Sequence, residues 1–168
     1  MMRRLRQTDA DLLREAYRWD RDRPSWYREM DRVFNRGSED DFLAQLDDPQ
    51  RAFIGLWDND TQFTAIILVH HHGSGRYEGH LLARKGTDAQ LVSVAIQSLL
   101  RDLLDYGLVE AYCWVAERNI GIRKLCANIQ FQPDGVSMWR GSYRNRVIKW
   151  QRYSIQREQI QLLTQQAA

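Results

Sequence analysis

Five consecutive apolar residues near the middle of the chain constrain its fold more than any other feature. The run from Ala65 to Val69 contains only alanine, isoleucine, leucine and valine, so a strand at this place has two apolar faces. Such a strand has to be covered on both sides, and helices are the usual cover. The run therefore predicts a central strand of an α/β fold with helices on both faces of the sheet.

Strand-like and helical patterns alternate along the chain. Predicted strands lie at residues 1–6, 52–57, 63–70, 77–83 and 109–117, with a hairpin over 138–155. One predicted helix follows Thr8 and ends before Pro24, a second covers 25–34, and a third follows Ser38. Two more cover 89–106 and 120–129. Because helices connect strands in the second half, the order predicts a mixed sheet in which strand 77–83 runs parallel to strand 109–117 and splays from it.

Two polar residues are predicted to begin N-terminal helices. Thr8 is followed three residues later by Asp11, and Ser38 by Asp41. A hydroxyl that accepts from an amide three residues ahead, with a carboxylate that reaches back, is the capping-box pattern. Both positions are therefore predicted N-caps.

Length and composition favour one domain. With 168 residues and a net charge of +2, we expect a single core over residues 1–155 and no strong field that attracts nucleic acid or membrane. The Gln-rich residues 156–168 are either a frayed helix or a tail. No signal peptide or membrane-length apolar segment is evident, and Cys113 and Cys126 fall in core segments, so we expect a reduced, cytoplasmic protein.

The sequence predicts no metal site. It contains no paired-cysteine or HExxH motif. The residues His70, His71 and His72 are consecutive on a strand, so their side chains alternate between faces and cannot all bind one ion. A turn at the end of a strand is the preferred interpretation of these histidines.

A local pattern late in the chain connects it with a known family. The predicted strand 109–117 is followed by Asn119, then a short helix that contains Leu125, then Phe131 and Gly135. In this pattern and in the order of its elements, the chain over about residues 1–155 resembles the GNAT superfamily of acyl-CoA-dependent N-acyltransferases. The resemblance implies a GNAT-like fold, α/β with a mixed sheet, in a single domain.

The chain departs from the family pattern in three places. The loop from Arg84 to Ala89 has one glycine and is short compared with the family's glycine-rich cofactor loop. Cys126 stands where many members have a tyrosine that protonates the departing thiolate, and Gln130 stands where they have glycine. These differences concern the cofactor more than the fold.

The resemblance implies acetyl-CoA as cosubstrate. Its pyrophosphate would lie at the loop from Arg84 to Ala89, and its pantetheine arm between residues 81–84 and 113–116. The implied cofactor-binding residues are Leu82, Ala83, Arg84, Lys85, Gly86, Thr87 and Asn119. Two alternatives stay open: the loop is only a helix start capped by Thr87 or Asp88, and Asn119 only caps the following helix.

Two residues on one strand are candidates for the general base. Glu78 and His80 are two positions apart, so they project from the same face of the strand. Either could take a proton from an amine, directly or through water. The alternative is a solvated strand end. For Cys126, a small core residue is preferred over a proton donor.

The leading functional hypothesis is transfer of an acetyl group from acetyl-CoA to a small-molecule or protein amine. The second is a GNAT-like domain without catalysis that serves as a binding or assembly module, with self-association through the C-terminal hairpin or tail. A weaker third is single-stranded nucleic-acid binding by the hairpin. Its basic and aromatic residues suit that role, but a hairpin that packs its aromatic residues inward would have the same pattern. These residues are Trp139, Arg140, Tyr143, Arg144, Arg146, Lys149, Trp150, Arg152 and Tyr153.

Overall fold

The computed structural model describes residues 1–21, 38–59, 61–143 and 146–166. Its strands are β1 Met2–Arg4, β2 Arg51–Asp58, β3 Gln62–His71, β4 Arg76–Ala83, β5 Glu110–Ala116, β6 Gln132–Tyr143 and β7 Arg146–Gln156. Its α-helices are α1 Ala10–Arg21, α2 Glu39–Ala44, α3 Ala89–Asp105, α4 Ile120–Asn128 and α5 Arg157–Gln166, with 3-10 turns at Gln7–Asp9 and Gln45–Asp47. The predicted helix at 25–34 lies outside the described residues, as does the hairpin tip at 144–145.

The strands form a seven-stranded mixed sheet in the order β1-β2-β3-β4-β5-β7-β6. The β4–β5 pair is parallel, with Arg76 opposite Glu110 and Glu78 opposite Tyr112. The pairs β1–β2, β2–β3, β5–β7 and β6–β7 are antiparallel. The predicted α/β class, mixed sheet and parallel strand pair are therefore confirmed.

Contacts divide the chain into two compact units. The first comprises Met1–His70 and His80–Val92, and the second comprises His71–Gly79 and Ser93–Ala168. Among the helices that the structure describes, none combines the length and the apolar character that crossing a bilayer requires.

The core of the first unit contains the apolar run of β3. All five residues from Ala65 to Val69 are buried, as the two-sided pattern predicts. Helices α1 and α2 contribute Leu13, Tyr17 and Phe42, and the ring centroid of Phe42 lies 5.5 Å from that of Phe53 on β2. Aromatic and aliphatic burial of this kind stabilises the fold by about 1.5–3 kcal/mol per side chain.

One of the two predicted N-caps is confirmed and the other is wrong. Ser38 is the N-cap of α2: its Oγ accepts from Asp41 N at 3.1 Å, and Asp41 Oδ2 accepts from Ser38 N at 2.7 Å. The predicted cap at Thr8 is wrong, because Thr8 lies inside the 3-10 turn that precedes α1. The carboxylate of Asp9 satisfies the amide of Arg6 instead, at 2.9 Å.

The end of α4 explains one departure from the family pattern. Gln130 has φ of +66°, a left-handed conformation that glycine adopts without the strain it imposes on other residues. The amide of Phe131 donates to Cys126 O at 2.9 Å, which closes the helix. The backbone turn is therefore retained even though its preferred residue is absent.

Residues 157–166 form a helix, α5, that belongs to the second unit. Arg157 N donates to Val109 O at 2.9 Å, and Arg157 Nη1 donates to Leu108 O at 3.2 Å. Ile160 is only 3% exposed, whereas Leu162 is 58% exposed.

We expect the substitution Ile160→Ala to lower the free energy of unfolding by about 2–4 kcal/mol, because it leaves a cavity under α5. Leu162→Ala, on the exposed side of the same helix, is the matched control and should have little effect. Urea unfolding followed by circular dichroism measures both. Equal, small effects of the two variants would mean that α5 is a dispensable tail.

Candidate functional site

The loop between β4 and α3 is a closed turn held against β3 in the first unit. Arg84 N donates to Thr64 O at 2.8 Å, and Thr87 N donates to Arg84 O at 3.2 Å. The hydroxyl of Thr87 lies within hydrogen-bonding distance of both carbonyl oxygens, at 3.0 Å from Thr64 O and 2.8 Å from Arg84 O. Gly86 has φ of +88°, and a Cβ built there would meet no atom within 4 Å. The turn thus requires glycine for its backbone conformation and leaves open space beside it.

Asp88, not Thr87, caps α3. Its Oδ1 accepts from Gln90 N at 2.8 Å, and its carbonyl accepts from Val92 N at 3.2 Å. A carboxylate at this place offsets the positive end of the helix dipole and occupies one of the amides that would otherwise attract an anion. The capped-start alternative is therefore correct for the side chain of Asp88, and a phosphate at this helix start would meet its charge.

The predicted cofactor residues of this segment differ in exposure. The side chain of Leu82 is buried in the core of the first unit, so only its main chain is placed to contact a ligand. Ala83 and Thr87 are half-buried, whereas Arg84, Lys85 and Gly86 are exposed. The accessible part of the segment is therefore short and carries two cationic side chains.

The two base candidates lie in different surroundings. In the second unit, Glu78 Oε2 lies 3.0 Å from His72 Nε2, and the side chain of Glu78 is 12% exposed. His80 belongs to the first unit and is 5% exposed. The alternative of a solvated strand end is therefore wrong for His80, and it fits Glu78 poorly.

Tyr112 of β5 lies in a charged environment that sequence reasoning missed. The guanidinium carbons of Arg76 and Arg152 are 5.7 and 5.2 Å from the centre of its ring. Burial, followed by the negative charge of Glu78, raises the pKa of Tyr112, while the two arginines partly offset the increase. The phenol therefore stays protonated at neutral pH and can donate a hydrogen bond.

Glu110 connects the charged residues around Tyr112. Its carboxylate accepts from Arg76 Nε at 2.9 Å and from Gln156 Nε2 at 3.3 Å, and it lies 3.5 Å from Arg152 Nη2. Arg152 Nε also pairs with Asp134. One indication of these charged residues was present in the sequence, the alternation of polar residues along single strands. Such alternation does not identify the partners on other strands.

The C-terminal hairpin packs part of its aromatic surface inward. Trp150 and Tyr153 are buried, whereas Trp139 is exposed. The inward-packing alternative therefore holds for two of the predicted positions, and Arg152 is engaged by carboxylates. The side chains of Arg140, Tyr143, Arg144 and Arg146 lie outside the described part of the structure.

Asn119 and Cys126 occupy the start and the interior of α4. Asn119 Oδ1 accepts from Ile122 N at 3.1 Å, so the residue caps the helix as the second interpretation predicts. Cys126 is 2% exposed, in agreement with the core interpretation. Its Sγ lies 3.7 Å from Cys113 Sγ. The prediction that the chain has no metal site stays a prediction.

The comparisons with solved structures show a likeness over nearly the whole chain. A spermidine N-acetyltransferase SpeG chimera from Vibrio cholerae and hSSAT is 14% identical with a TM-score of 0.74, covering 96% of this chain and 99% of that chain. A probable acetyltransferase from Staphylococcus epidermidis is 14% identical with a TM-score of 0.74, covering 94% and 98%. An acetyltransferase of the GNAT family from Streptococcus pneumoniae is 14% identical with a TM-score of 0.74, covering 93% and 98%.

No protein-family model and no curated protein matches the sequence. The likeness at this level of identity shows the fold, which is GNAT-like as the sequence resemblance implies. Activity has to be argued from the residues of the site.

The two interpretations of Asn119 can be separated by substitution. Asn119→Ala should lower the free energy of unfolding by about 1 kcal/mol, and Asn119→Ser should restore it, because serine caps as well as asparagine. Denaturant unfolding measures the stability, and titration with acetyl-CoA measures the affinity. If Asn119 only caps α4, the serine variant keeps the affinity of the unaltered chain. A loss of affinity at unchanged stability would show a direct role in binding.

Proposed function

We propose that the chain is an N-acyltransferase that transfers an acetyl group from acetyl-CoA to an amine on a small molecule or a protein. The observation that carries this proposal is the GNAT-like fold, shared over almost the full length of proteins described as acetyltransferases. One of these acts, by its description, on spermidine. A small amine is therefore the first acceptor class to test.

The cofactor is proposed to bind at the end of β4 and in the turn that follows it. Acetyl-CoA, when bound, supplies an activated acyl thioester and a charged pyrophosphate. The amide of Arg84 already donates to Thr64 O on β3, and the amide of Thr87 donates to Arg84 O within the turn. We therefore propose that the side chains of Arg84 and Lys85 and the backbone at Gly86 bind the phosphates, with the main chain of Leu82 and Ala83 beside the pantetheine arm. Exposed cations at a helix start favour an anionic ligand.

Glu78 is the proposed general base. An amine that is protonated at neutral pH has to lose a proton before it can attack a carbonyl carbon, so a carboxylate near the acceptor lowers the barrier. Glu78 lies opposite Tyr112 in the parallel strand pair and contacts His72, whose side chain is the more exposed of the two. His72 thus gives the proton a route to solvent. His80 is the alternative base, and it is 5% exposed.

The second candidate, a GNAT-like binding module without catalysis, is favoured by one observation. Asp88 places a carboxylate on the helix start where the cofactor phosphates are expected. Self-association through the C-terminal hairpin belongs to this alternative, and Val136, Trp139 and Val147 are exposed there. The cytoplasmic location expected from the sequence stays a prediction.

Binding of acetyl-CoA should raise the melting temperature of the chain, because a ligand that binds only the native state stabilises it. Asp88→Asn should increase the affinity roughly 2–10-fold, since asparagine retains the cap while the negative charge is removed. The shift of melting temperature against ligand concentration measures both.

Asp11→Asn makes the same charge change in the first turn of α1 and is the matched control. It should leave the affinity unchanged. Equal effects of the two substitutions would exclude the start of α3 as the phosphate site. No thermal shift with any acyl-CoA would favour the module without catalysis.

Glu78→Gln should lower kcat/KM about 10²–10⁴-fold with little change in acetyl-CoA affinity. Steady-state kinetics with an amine acceptor measures the effect. Glu117→Gln removes an exposed carboxylate from the end of the neighbouring strand and serves as control.

His80→Gln distinguishes the two bases, provided that circular dichroism shows the variant to be folded. If this substitution abolishes the rate while Glu78→Gln does not, His80 is the base. If both variants keep the full rate, neither residue is.

A further inference from the structure

Two cysteine thiols of the second unit lie in direct contact. Cys113 is in the middle of β5 and Cys126 is in α4, 13 residues later. Their sulfur atoms are 3.7 Å apart, and neither cysteine is part of a disulfide. A disulfide requires a separation of about 2.05 Å. The two sulfur atoms therefore have to approach each other by about 1.6 Å.

The backbone on both sides of the pair is fixed. Cys113 lies within the continuous β5–β7 ladder, opposite Tyr153. Cys126 lies in the last turn and a half of α4, where its carbonyl accepts from Phe131 N. Arg123 holds the helix to the sheet, because its Nε donates to Tyr153 Oη at 3.3 Å. The contact between the thiols is therefore set by a paired strand and a packed helix, and it does not require a loop to move.

The two thiols differ in access to solvent. Cys113 is half-buried, whereas Cys126 is 2% exposed. Since the oxidation of a thiol depends on exposure, Cys113 is the residue that an oxidant reaches first. Cys126 is then in position to react with the sulfenic acid that forms on Cys113.

From this arrangement we propose that Cys113 and Cys126 are a reversible modification site that forms an intramolecular disulfide with a peroxide. The thiolate of Cys113 attacks one oxygen of the peroxide, which breaks the O–O bond, gives a sulfenic acid and releases water. The thiol of Cys126 attacks the sulfur of Cys113, which forms the S–S bond and releases a second water. The two thiols lose two electrons and two protons, and hydrogen peroxide is reduced to two waters. A dithiol reductant reverses the step.

The disulfide closes a loop that contains the end of β5, the turn at Asn119 and most of α4. Restricting this loop in the unfolded chain stabilises the folded one if the bond forms without strain. We therefore expect the oxidised chain to melt roughly 5–10 °C above the reduced chain. This inference does not depend on the proposed acyl transfer, because it requires no cofactor and no acceptor.

The test treats the full chain with hydrogen peroxide under native conditions. The expected result is loss of two hydrogens from the intact mass, loss of both thiols in a count made after denaturation, and a digest peptide that links Cys113 to Cys126. Dithiothreitol should restore the thiols and the lower melting temperature. In the Cys126→Ala variant, oxidation should stop at a sulfenic acid on Cys113, which dimedone traps. In the Cys113→Ala variant, Cys126 should stay protected from the peroxide.

Several results would overturn the proposal. These are an unchanged thiol count, addition of oxygen without a linked peptide, and a disulfide between two chains instead of within one. A lower melting temperature of the oxidised chain would also overturn it, because it would show that the bond distorts the native contact. If a cysteine variant does not fold, the linked peptide and the melting temperature of the unaltered chain still decide the question.

Discussion

Backbone pairing on both edges of β5 is the constraint on which the second unit depends. One edge pairs in parallel with the start of β4, and the other pairs antiparallel with β7 from Glu110 to Ala116. Side chains alternate along a strand, so Tyr112 is directed to one face and Cys113 to the other. The charged residues around Tyr112 and the thiol pair at α4 are therefore two consequences of a single strand register. A shift of one residue would exchange them and dismantle both.

The charged residues around Tyr112 neutralise one another to a large extent. Glu110 has three polar partners from three other positions in the chain, and Arg152 is shared between Glu110 and Asp134. Ionised groups that are partly withdrawn from water are tolerated when they are paired in this way. Glu78 has a different partner, a histidine that is partly open to solvent. This contrast is the physical reason to propose proton transfer for Glu78 and a structural role for Glu110.

At the start of α3, where the cofactor phosphates are proposed to bind, two demands oppose each other. A helix needs partners for its first amides, and Asp88 supplies one. A pyrophosphate would need the same positive end of the helix. Thr87 does not enter this competition, because its hydroxyl contacts Thr64 and Arg84 and so holds the turn on β3. The exposed side chains of Arg84 and Lys85 thus become the principal attraction that the segment offers to an anion.

The sequence by itself determined the type and order of the elements, the burial of β3 and the cap at Ser38, and it offered capping as one of two roles for Asn119. These features depend on periodicity and on hydrogen bonds that span three or four residues, so a short window of sequence contains them. The failure at Thr8 has a local cause of the same kind, since Asp9 satisfies the amide of Arg6 first. The GNAT-like fold could also be predicted, because the pattern from Asn119 to Gly135 supplemented the order of elements.

Only the tertiary structure decided which side chains meet. Arg76 and Glu110 are 34 residues apart, and Cys113 and Cys126 are 13 residues apart on a strand and a helix. Such contacts depend on strand register and helix packing, which the pattern of polar and apolar residues along one segment does not specify. For the same reason, the sequence predicted that Glu78 and His80 share one face of a strand but did not predict the environment of either side chain. The neighbours of each side chain come from other strands, and only the folded chain brings them together.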